Sequence, residues 1–334
     1  MMNALGNPLA WGVIGTGDIS RSICSDLRHL DAARLLAVCS RDASTAAAFA
    51  SEHQAARAFG HLDEMLADPE LDIVYIATPH ATHLSIALAA LRAGKHVLIE
   101  KPIGVDADEA RTIARVARES RRFAMEGMWM KFAPAYRSLV ETIRAGAIGQ
   151  VRSIRASFGL PFDTAESARW SRVRSSSTLL DQGIYPVTLA LDLLGTPMRV
   201  DATQVRRLDG VDLNCRASLE YPDGRFADLA ASMVEYIDPS ASVNGTEGWI
   251  DVPAPFWAAT RFTTHAGTIE EAFGSPTTTT IETEGHGYVP MLRAVGDAIA
   301  QGLSEHPLHP LDASIQTFAL LDRIRSAAHA ARAA

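Results

Sequence analysis

Two glycines, Gly15 and Gly17, stand between a short apolar run and a helical pattern, and this junction limits what the chain can become. Leu9 to Gly15 (LAWGVIG) reads as a buried strand. Ile19, Ile23, Leu27 and Leu30 then recur at spacings of four, four and three, which is one face of a helix. In Gly15-Thr16-Gly17-Asp18-Ile19-Ser20 the first glycine permits a tight turn and the second lets backbone approach a pyrophosphate. The helix start adds free N–H groups and a positive dipole end. The third fingerprint position is Ser20, again a small residue. A strand, a glycine loop and a helix in this order predict a dinucleotide site.

The same grammar repeats downstream. Leu35 to Cys39 reads as a second strand, and Asp42 as the cap of an alanine-rich helix. Asp72 to Ala77 is a strand, followed by a helical stripe of Leu84, Ala87, Leu88 and Leu91 closed by Gly94. His96 to Ile99 is a strand, Asp106 and Glu109 resemble a capping box, and Phe123 to Met128 is a further strand. Alternating strands and helices predict an α/β fold, a doubly wound Rossmann parallel sheet over residues 1–130. Past residue 150 the pattern changes. Ile154, Ala156 and Phe158 alternate, and Tyr221-Pro222-Asp223-Gly224 separates two strand-like runs as a hairpin turn would. With Trp249–Val252 and Thr260–His265, this predicts a second α/β domain over residues 131–334, built on a mostly antiparallel sheet. A closing helix over Pro310–Ala331, with Ile315, Phe318, Ala319 and Ile324 inward, is expected to pack back. Thr277 to Thr280 reads as exposed strand or loop.

Composition excludes several classes. With 47% hydrophobic and 21% charged residues, the 334-residue chain is not disordered over most of its length. Its formal charge of −8 gives no overall attraction to nucleic acid or to an anionic membrane. Cys24, Cys39 and Cys215 are too scattered for a disulfide framework and have no C-x-x-C spacing for zinc. A reducing, cytoplasmic setting is therefore expected. Met1 to Leu9 lacks the pattern of a signal peptide, and no apolar run approaches about 18 residues, so no membrane span is expected. No metal is expected either, since His80 and His83 lack carboxylate or cysteine partners at metal spacing. The second strand ends in Cys39-Ser40-Arg41 instead of an acidic residue, and Ser40 with Arg41 would attract a ribose 2′-phosphate. NADP is thus the expected cofactor over NAD; the alternative has Asp42 holding the ribose of NAD.

Two further segments join the glycine loop. Ala77-Thr78-Pro79-His80 with His83 follows one strand, and Glu100-Lys101-Pro102 follows the next. Together they resemble the glucose–fructose oxidoreductase, inositol dehydrogenase and rhizopine-catabolism (Gfo/Idh/MocA) oxidoreductases. Glu126–Phe132, Leu179–Pro186 and Asn244–Gly248 are similar to the branch of dimeric dihydrodiol dehydrogenases and NADP-dependent D-xylose dehydrogenases. The resemblance implies a Rossmann domain followed by an α/β domain with a large open sheet, the nicotinamide lying between them. It implies cofactor contacts from Gly15, Thr16, Gly17, Asp18, Ile19, Ser40, Arg41, Ala77, Thr78, Pro79, His80, His83, Glu100, Lys101, Trp129, Arg169 and Trp170. It also implies a substrate pocket formed by Lys101, Trp129, Phe158, Asp181 and Tyr185.

Most of the wider family carries a histidine four residues after an aspartate; this chain has Asp181 and Tyr185. That separation puts both on one face if Leu179–Leu194 is an α-helix. A tyrosine of ordinary pKa, about 10, is a poor base unless its phenolate is stabilised, as a cation such as Lys101 would do. The implied activity is hydride transfer between NAD(P) and a hydroxyl-bearing carbon of a sugar, cyclic polyol or trans-dihydrodiol. Tyr185 would be the acid–base group, assisted by Lys101 and Asp181. Two alternatives are a non-enzymatic dinucleotide-sensing regulator and an NAD-dependent glycosidase with a redox-cycling cofactor. A homodimer or higher oligomer through the C-terminal sheet is expected, since that sheet leaves a face to cover.

Overall fold

Leu9–Ile14 (β1) is buried along its whole length, as a strand covered on both faces must be. Around it a computed structural model, which describes residues 8–162 and 177–332, alternates helices with strands. In order they are α1 (Asp18–Leu27), β2 (Ala33–Cys39), α2 (Ala43–His53), β3 (Arg57–Phe59), α3 (Leu62–Leu66), β4 (Ile73–Ile76), α4 (His83–Arg92), β5 (His96–Glu100), α5 (Ala107–Ser120) and β6 (Ala124–Gly127). All six strands are parallel, in the order β3-β2-β1-β4-β5-β6. The order reverses between β1 and β4, and ligands of open α/β sheets bind outside the carboxyl ends of the strands at such a point.

Local chemistry sets the helix starts. Asp42 accepts the Thr45 N–H at 2.7 Å and so caps α2. Asp106 accepts the N–H groups of Asp108 and Glu109 at 3.0 and 2.9 Å and caps α5. Glu109 turns back to the Val105 N–H at 3.0 Å, one residue short of the bond that completes a capping box. Between α4 and β5, buried Lys95 donates to the carbonyls of Asp68 (2.6 Å) and Leu71 (3.0 Å), and burial lowers its pKa from the ordinary lysine value.

The second sheet has eight strands in the order β14-β13-β12-β11-β7-β10-β9-β8. The elements here are α6 (Pro134–Arg144), β7 (Val151–Gly159), α7 (Ile184–Leu194), β8 (Arg199–Arg206), β9 (Asp212–Glu220), β10 (Phe226–Ser232), β11 (Ala241–Gly245), β12 (Gly248–Val252), β13 (Arg261–Ala266), α8 (Ile269–Gly274) and β14 (Thr277–Thr280). Only β7 and β10 pair parallel; every other pair is antiparallel. The expected hairpin is β9–β10, turning through Pro222–Gly224 with Asp223 in the left-handed region. The threonine run is the exposed edge strand β14. α9 (Val289–Ala300) and α10 (Leu311–Arg332) complete the chain. On α10 the buried line runs through Ser314, Phe318, Leu321 and Ile324, with Ile315 and Ala319 only half-buried.

The chain divides into two units: residues 1–133 with 283–315, and residues 134–282 with 316–334. The first boundary lies three residues beyond the expected one, and the segment 283–315 joins the Rossmann unit. Buried Asp26 on α1 accepts the backbone N–H groups of His286 (2.8 Å) and Tyr288 (2.9 Å), and Ala124 donates to the Ser304 carbonyl at 3.1 Å. No helix among the described residues is long and apolar enough to cross a membrane. Replacing Lys95 by Met leaves the buried Leu71 carbonyl without its donor, while the Asp68 carbonyl keeps the Leu71 N–H at 3.3 Å. The expected cost is about 1–3 kcal/mol for the group left unsatisfied, read as a lower Tm in thermal unfolding, with cofactor binding retained.

Candidate active site

The glycine turn is built from backbone. Gly15 has φ +107°, and a Cβ there would lie 2.5 Å from the Ala77 carbonyl oxygen. Only a glycine lets the loop after β1 lie this close to the loop after β4. Gly17 is the N-cap of α1, no side chain caps that end, and a Cβ at Gly17 would meet nothing within 4 Å. The first N–H groups of α1 thus have no side-chain acceptor, an arrangement a pyrophosphate fits. Thr16 and Ile19 are half-buried and Asp18 is exposed. Ser20 is fully buried, with no hydrogen-bond partner for its hydroxyl among the described residues. It fills the packing position that the third fingerprint residue serves.

At the end of β2, Ser40 is half-buried and Arg41 exposed, and among the described residues Arg41 has no ion-pair partner. Asp42 is engaged elsewhere. The Ser44 hydroxyl and Thr45 N–H both donate to its Oδ1, which holds the carboxyl down to about 2.

The loop after β4 carries Ala77, Thr78, Pro79 and His80, all at least partly exposed. His83, by contrast, has no exposed surface. Its Nδ1 is 2.8 Å from the Pro102 carbonyl and its Nε2 2.8 Å from the Thr78 carbonyl, so it touches both loops, and a ring with one N–H donates to one of these carbonyls at a time. Burial lowers its pKa, against the pull of those carbonyls. The His80 ring meets His83 edge-on at 5.7 Å.

Glu100 ends β5 facing inward, buried and accepting the Tyr75 hydroxyl. Lys101 is half-exposed and is followed by a cis peptide to Pro102. The next peptide is held at its N–H, where Ile103 donates to Glu126 at 2.9 Å. Trp129 lies in the turn Trp129–Phe132 after β6, its ring 5.2 Å from that of Tyr288.

In the second unit Tyr185 is buried in the first turn of α7. Its ring lies 5.8 Å from Phe158 on β7 and 5.7 Å from Trp257, and those two rings stack on each other at 3.5 Å with planes 9° apart. Asp181 is not on a regular α-helix: Leu179–Gly183 is a π turn, and the α-helix begins only at Ile184. The four-residue spacing of Asp181 and Tyr185 therefore spans a π-to-α junction, and single π turns recur at functional sites. Arg169 and Trp170 lie outside the described residues. Sequence reasoning missed Trp257, Tyr288 and Glu126. Trp257 follows a proline-interrupted stretch with no periodicity, and the other two take their partners from remote segments. Among the described residues no cluster of histidine, cysteine and carboxylate groups is suited to a metal.

A family model described as an oxidoreductase family with an NAD-binding Rossmann fold matches residues 9–128, and the GFO/IDH/MocA C-terminal domain matches residues 136–251. The chain belongs to the Gfo/Idh/MocA oxidoreductases, enzymes that work with a nicotinamide dinucleotide. Within them it falls in the dihydrodiol dehydrogenase branch. It is 32% identical to the trans-1,2-dihydrobenzene-1,2-diol dehydrogenase of Bos taurus, over 96% of each chain. It is 31% identical to the Homo sapiens enzyme of that name, with the same coverage. Among solved structures, a 3-ketoreductase from Actinomadura kijaniata, in complex with NADP and TDP-benzene, is similar with a TM-score of 0.86 and 27% identity, over 96% of this chain and 98% of that one.

Gly15→Ala puts a methyl group against the Ala77 carbonyl at a positive φ, a strain of about 1–3 kcal/mol. A fluorescence titration is expected to show NADPH binding weakened roughly tenfold or more; unchanged affinity would mean that the turn does not serve the dinucleotide.

Proposed function

We propose that the chain is an NADP-preferring dehydrogenase that oxidises a secondary hydroxyl of a trans-dihydrodiol, cyclic polyol or aldose. Tyr185 exchanges the hydroxyl proton, Lys101 favours the phenolate, and Asp181 orients the reacting hydroxyl. The observation that carries this reading is the burial of Tyr185 beside the stacked Phe158–Trp257 pair. A buried phenol at the rim of an aromatic surface suits a ring with a flat apolar face and vicinal hydroxyls. The dihydrodiol dehydrogenase relatives take such a ring by name.

Arg41, which has no ion-pair partner among the described residues, and the capping duty of Asp42 support NADP over NAD. A guanidinium and a serine hydroxyl are suited to a 2′-phosphate, and a carboxylate that caps its own helix is poorly placed to hold a ribose. The N-terminus of α1, with Gly15, Thr16 and Gly17, would hold the pyrophosphate. Ala77 to His80 would flank the nicotinamide, and Trp129 would wall the pocket. When bound there, a nicotinamide would supply the acceptor for the carbinol hydride. Tyr185 removes the hydroxyl proton as the C–O bond becomes C=O, and in the reverse direction it returns that proton to the forming alkoxide.

We also propose that the eight-stranded sheet is the surface through which two copies associate. One row of that sheet runs Thr263, Asp251, Ser242, Arg155, Asp228, Ser218 and Asp201 across β13 to β8, and it borders a groove of about 1040 Å³. Charges of both signs in one row can complement a second copy of themselves.

Tyr185→Phe is expected to lower the rate of the chemical step by about 10²–10⁴-fold in stopped-flow measurements with D-xylose or a trans-dihydrodiol. Lys101→Met is expected to lower it in the same direction. Near-normal hydride transfer in the Tyr185→Phe variant would remove Tyr185 from the reaction. Ser40→Asp with Arg41→Ala is expected to turn cofactor preference toward NAD in parallel assays.

A further inference from the structure

Glu126, on the edge strand β6 of the parallel sheet, is a carboxylate with almost no exposed surface. Its Oε1 accepts the Ile103 N–H at 2.9 Å. Its Oε2 accepts the Ser314 hydroxyl at 2.7 Å and lies 3.1 Å from His309 Nε2. His309 is also buried, and its Nδ1 has no partner among the described residues. A carboxylate can only accept, so the His309 Nε2 that faces it carries a proton and donates to Glu126. The carboxylate thus gathers three donors. Burial pushes its pKa up, but His309, Ser314 and the Ile103 N–H outweigh that and hold it below the ordinary glutamate value.

The target of this group is specific. The Ile103 N–H and the Pro102 carbonyl belong to one peptide unit, and that carbonyl contacts His83 Nδ1 at 2.8 Å. One peptide plane, immediately beyond Lys101-Pro102, is therefore bonded at its N–H by Glu126 and lies within hydrogen-bond reach of His83 at its carbonyl, both side chains being buried in the Rossmann unit. Rotation of that plane would swing the backbone from which the Lys101 side chain departs. His309 and Ser314 come from the segment 283–315, more than 180 residues further along the chain.

We propose that Glu126, held by His309 and Ser314, is a positioning residue that locks the Pro102–Ile103 peptide and thereby aims the Lys101 ammonium. This rests on the reading of Lys101 as the catalytic cation. A buried carboxylate kept only for stability would leave turnover unaffected once the protein is folded; one that aims Lys101 would not.

The test compares Glu126→Leu, Glu126→Gln and Lys101→Met in the full-length protein. The readouts are kcat, KM, the pH profile of kcat, NADPH affinity by fluorescence, and Tm. Glu126→Leu is expected to lower kcat about 30- to 100-fold, the size of effect that an ångström of misplacement produces. NADPH affinity should stay unchanged, and the limb of the pH profile that reports the acid–base group should move to higher pH. Glu126→Gln still accepts from Ile103, and a tautomer shift at His309 lets its amide find an acceptor there, so it is expected to recover most of the turnover. A folded Glu126→Leu variant with wild-type kcat and an unshifted profile overturns the proposal. If that variant does not fold, the double variant His309→Phe, Ser314→Ala strips two of the three donors and should move kcat and the pH limb the same way; no movement overturns it equally. Wild-type turnover in Lys101→Met would sink the lysine reading itself. An inactive Lys101→Met beside a fully active Glu126→Leu would sink only the positioning role.

Discussion

A hydrogen atom in place of a methyl group at residue 15 lets the loop after β1 rest on the loop after β4, and the rest of the Rossmann half of the site is laid against that contact. From there one buried polar contact leads to the next. The Thr78 carbonyl meets His83, His83 meets the Pro102 carbonyl, and the N–H of the same peptide meets Glu126, which is held by His309 and Ser314. Four successive parallel strands, β1, β4, β5 and β6, release their loops at one edge of the sheet, and these contacts fix those loops relative to each other. Hydrophobic burial holds the strands but carries no directional information, whereas a hydrogen bond does. The loops are therefore placed by polar groups and the sheet beneath them by apolar ones.

The two units, each taken by itself, carry different groups. The Rossmann unit supplies backbone N–H groups, the exposed guanidinium of Arg41 and the lysine after β5. The second unit supplies aromatic surface and a buried phenol. This division follows from sheet architecture. A parallel sheet covered on both faces can present polar groups only at its loop edge. A mostly antiparallel sheet keeps one apolar face, and β7 uses it to carry Phe158 inward beside Tyr185.

Local pattern made much of this legible. The strands of the first sheet are buried runs, the caps at Asp42 and Asp106 are visible as residue types, and the Pro-Asp-Gly turn announces the β9–β10 hairpin. The glycine pair located the dinucleotide turn because φ > 0 and close backbone approach are demands that few other residues meet. What stayed hidden is non-local. Asp26 reads as one polar residue on α1, and nothing nearby announces that it binds a segment 260 residues later. The return of residues 283–315 to the first unit is built from contacts of that kind, so the domain division escaped periodicity. The π turn at Leu179–Gly183 escaped for another reason: its residues have no composition that separates them from an α-helix, and only the register of its hydrogen bonds differs.

The cluster around Glu126 also bears on why a protein keeps charge in its interior. Replacing a buried ionic cluster by well-packed apolar side chains is often neutral or stabilising, so stability alone is a weak reason for a carboxylate at this position. Leucine and phenylalanine could fill the volume of Glu126 and His309, but they could not accept the Ile103 N–H. The Ile103 N–H points into the protein, and some acceptor must meet it or the buried group is left unpaired. The acceptor's other oxygen must in turn be met, which His309 and Ser314 do with two donors from a remote helix start and its preceding loop. On this account the polar interior follows from where the chain needs Lys101 to stand, and the late segment of the sequence is drawn back to the first unit partly to meet that need.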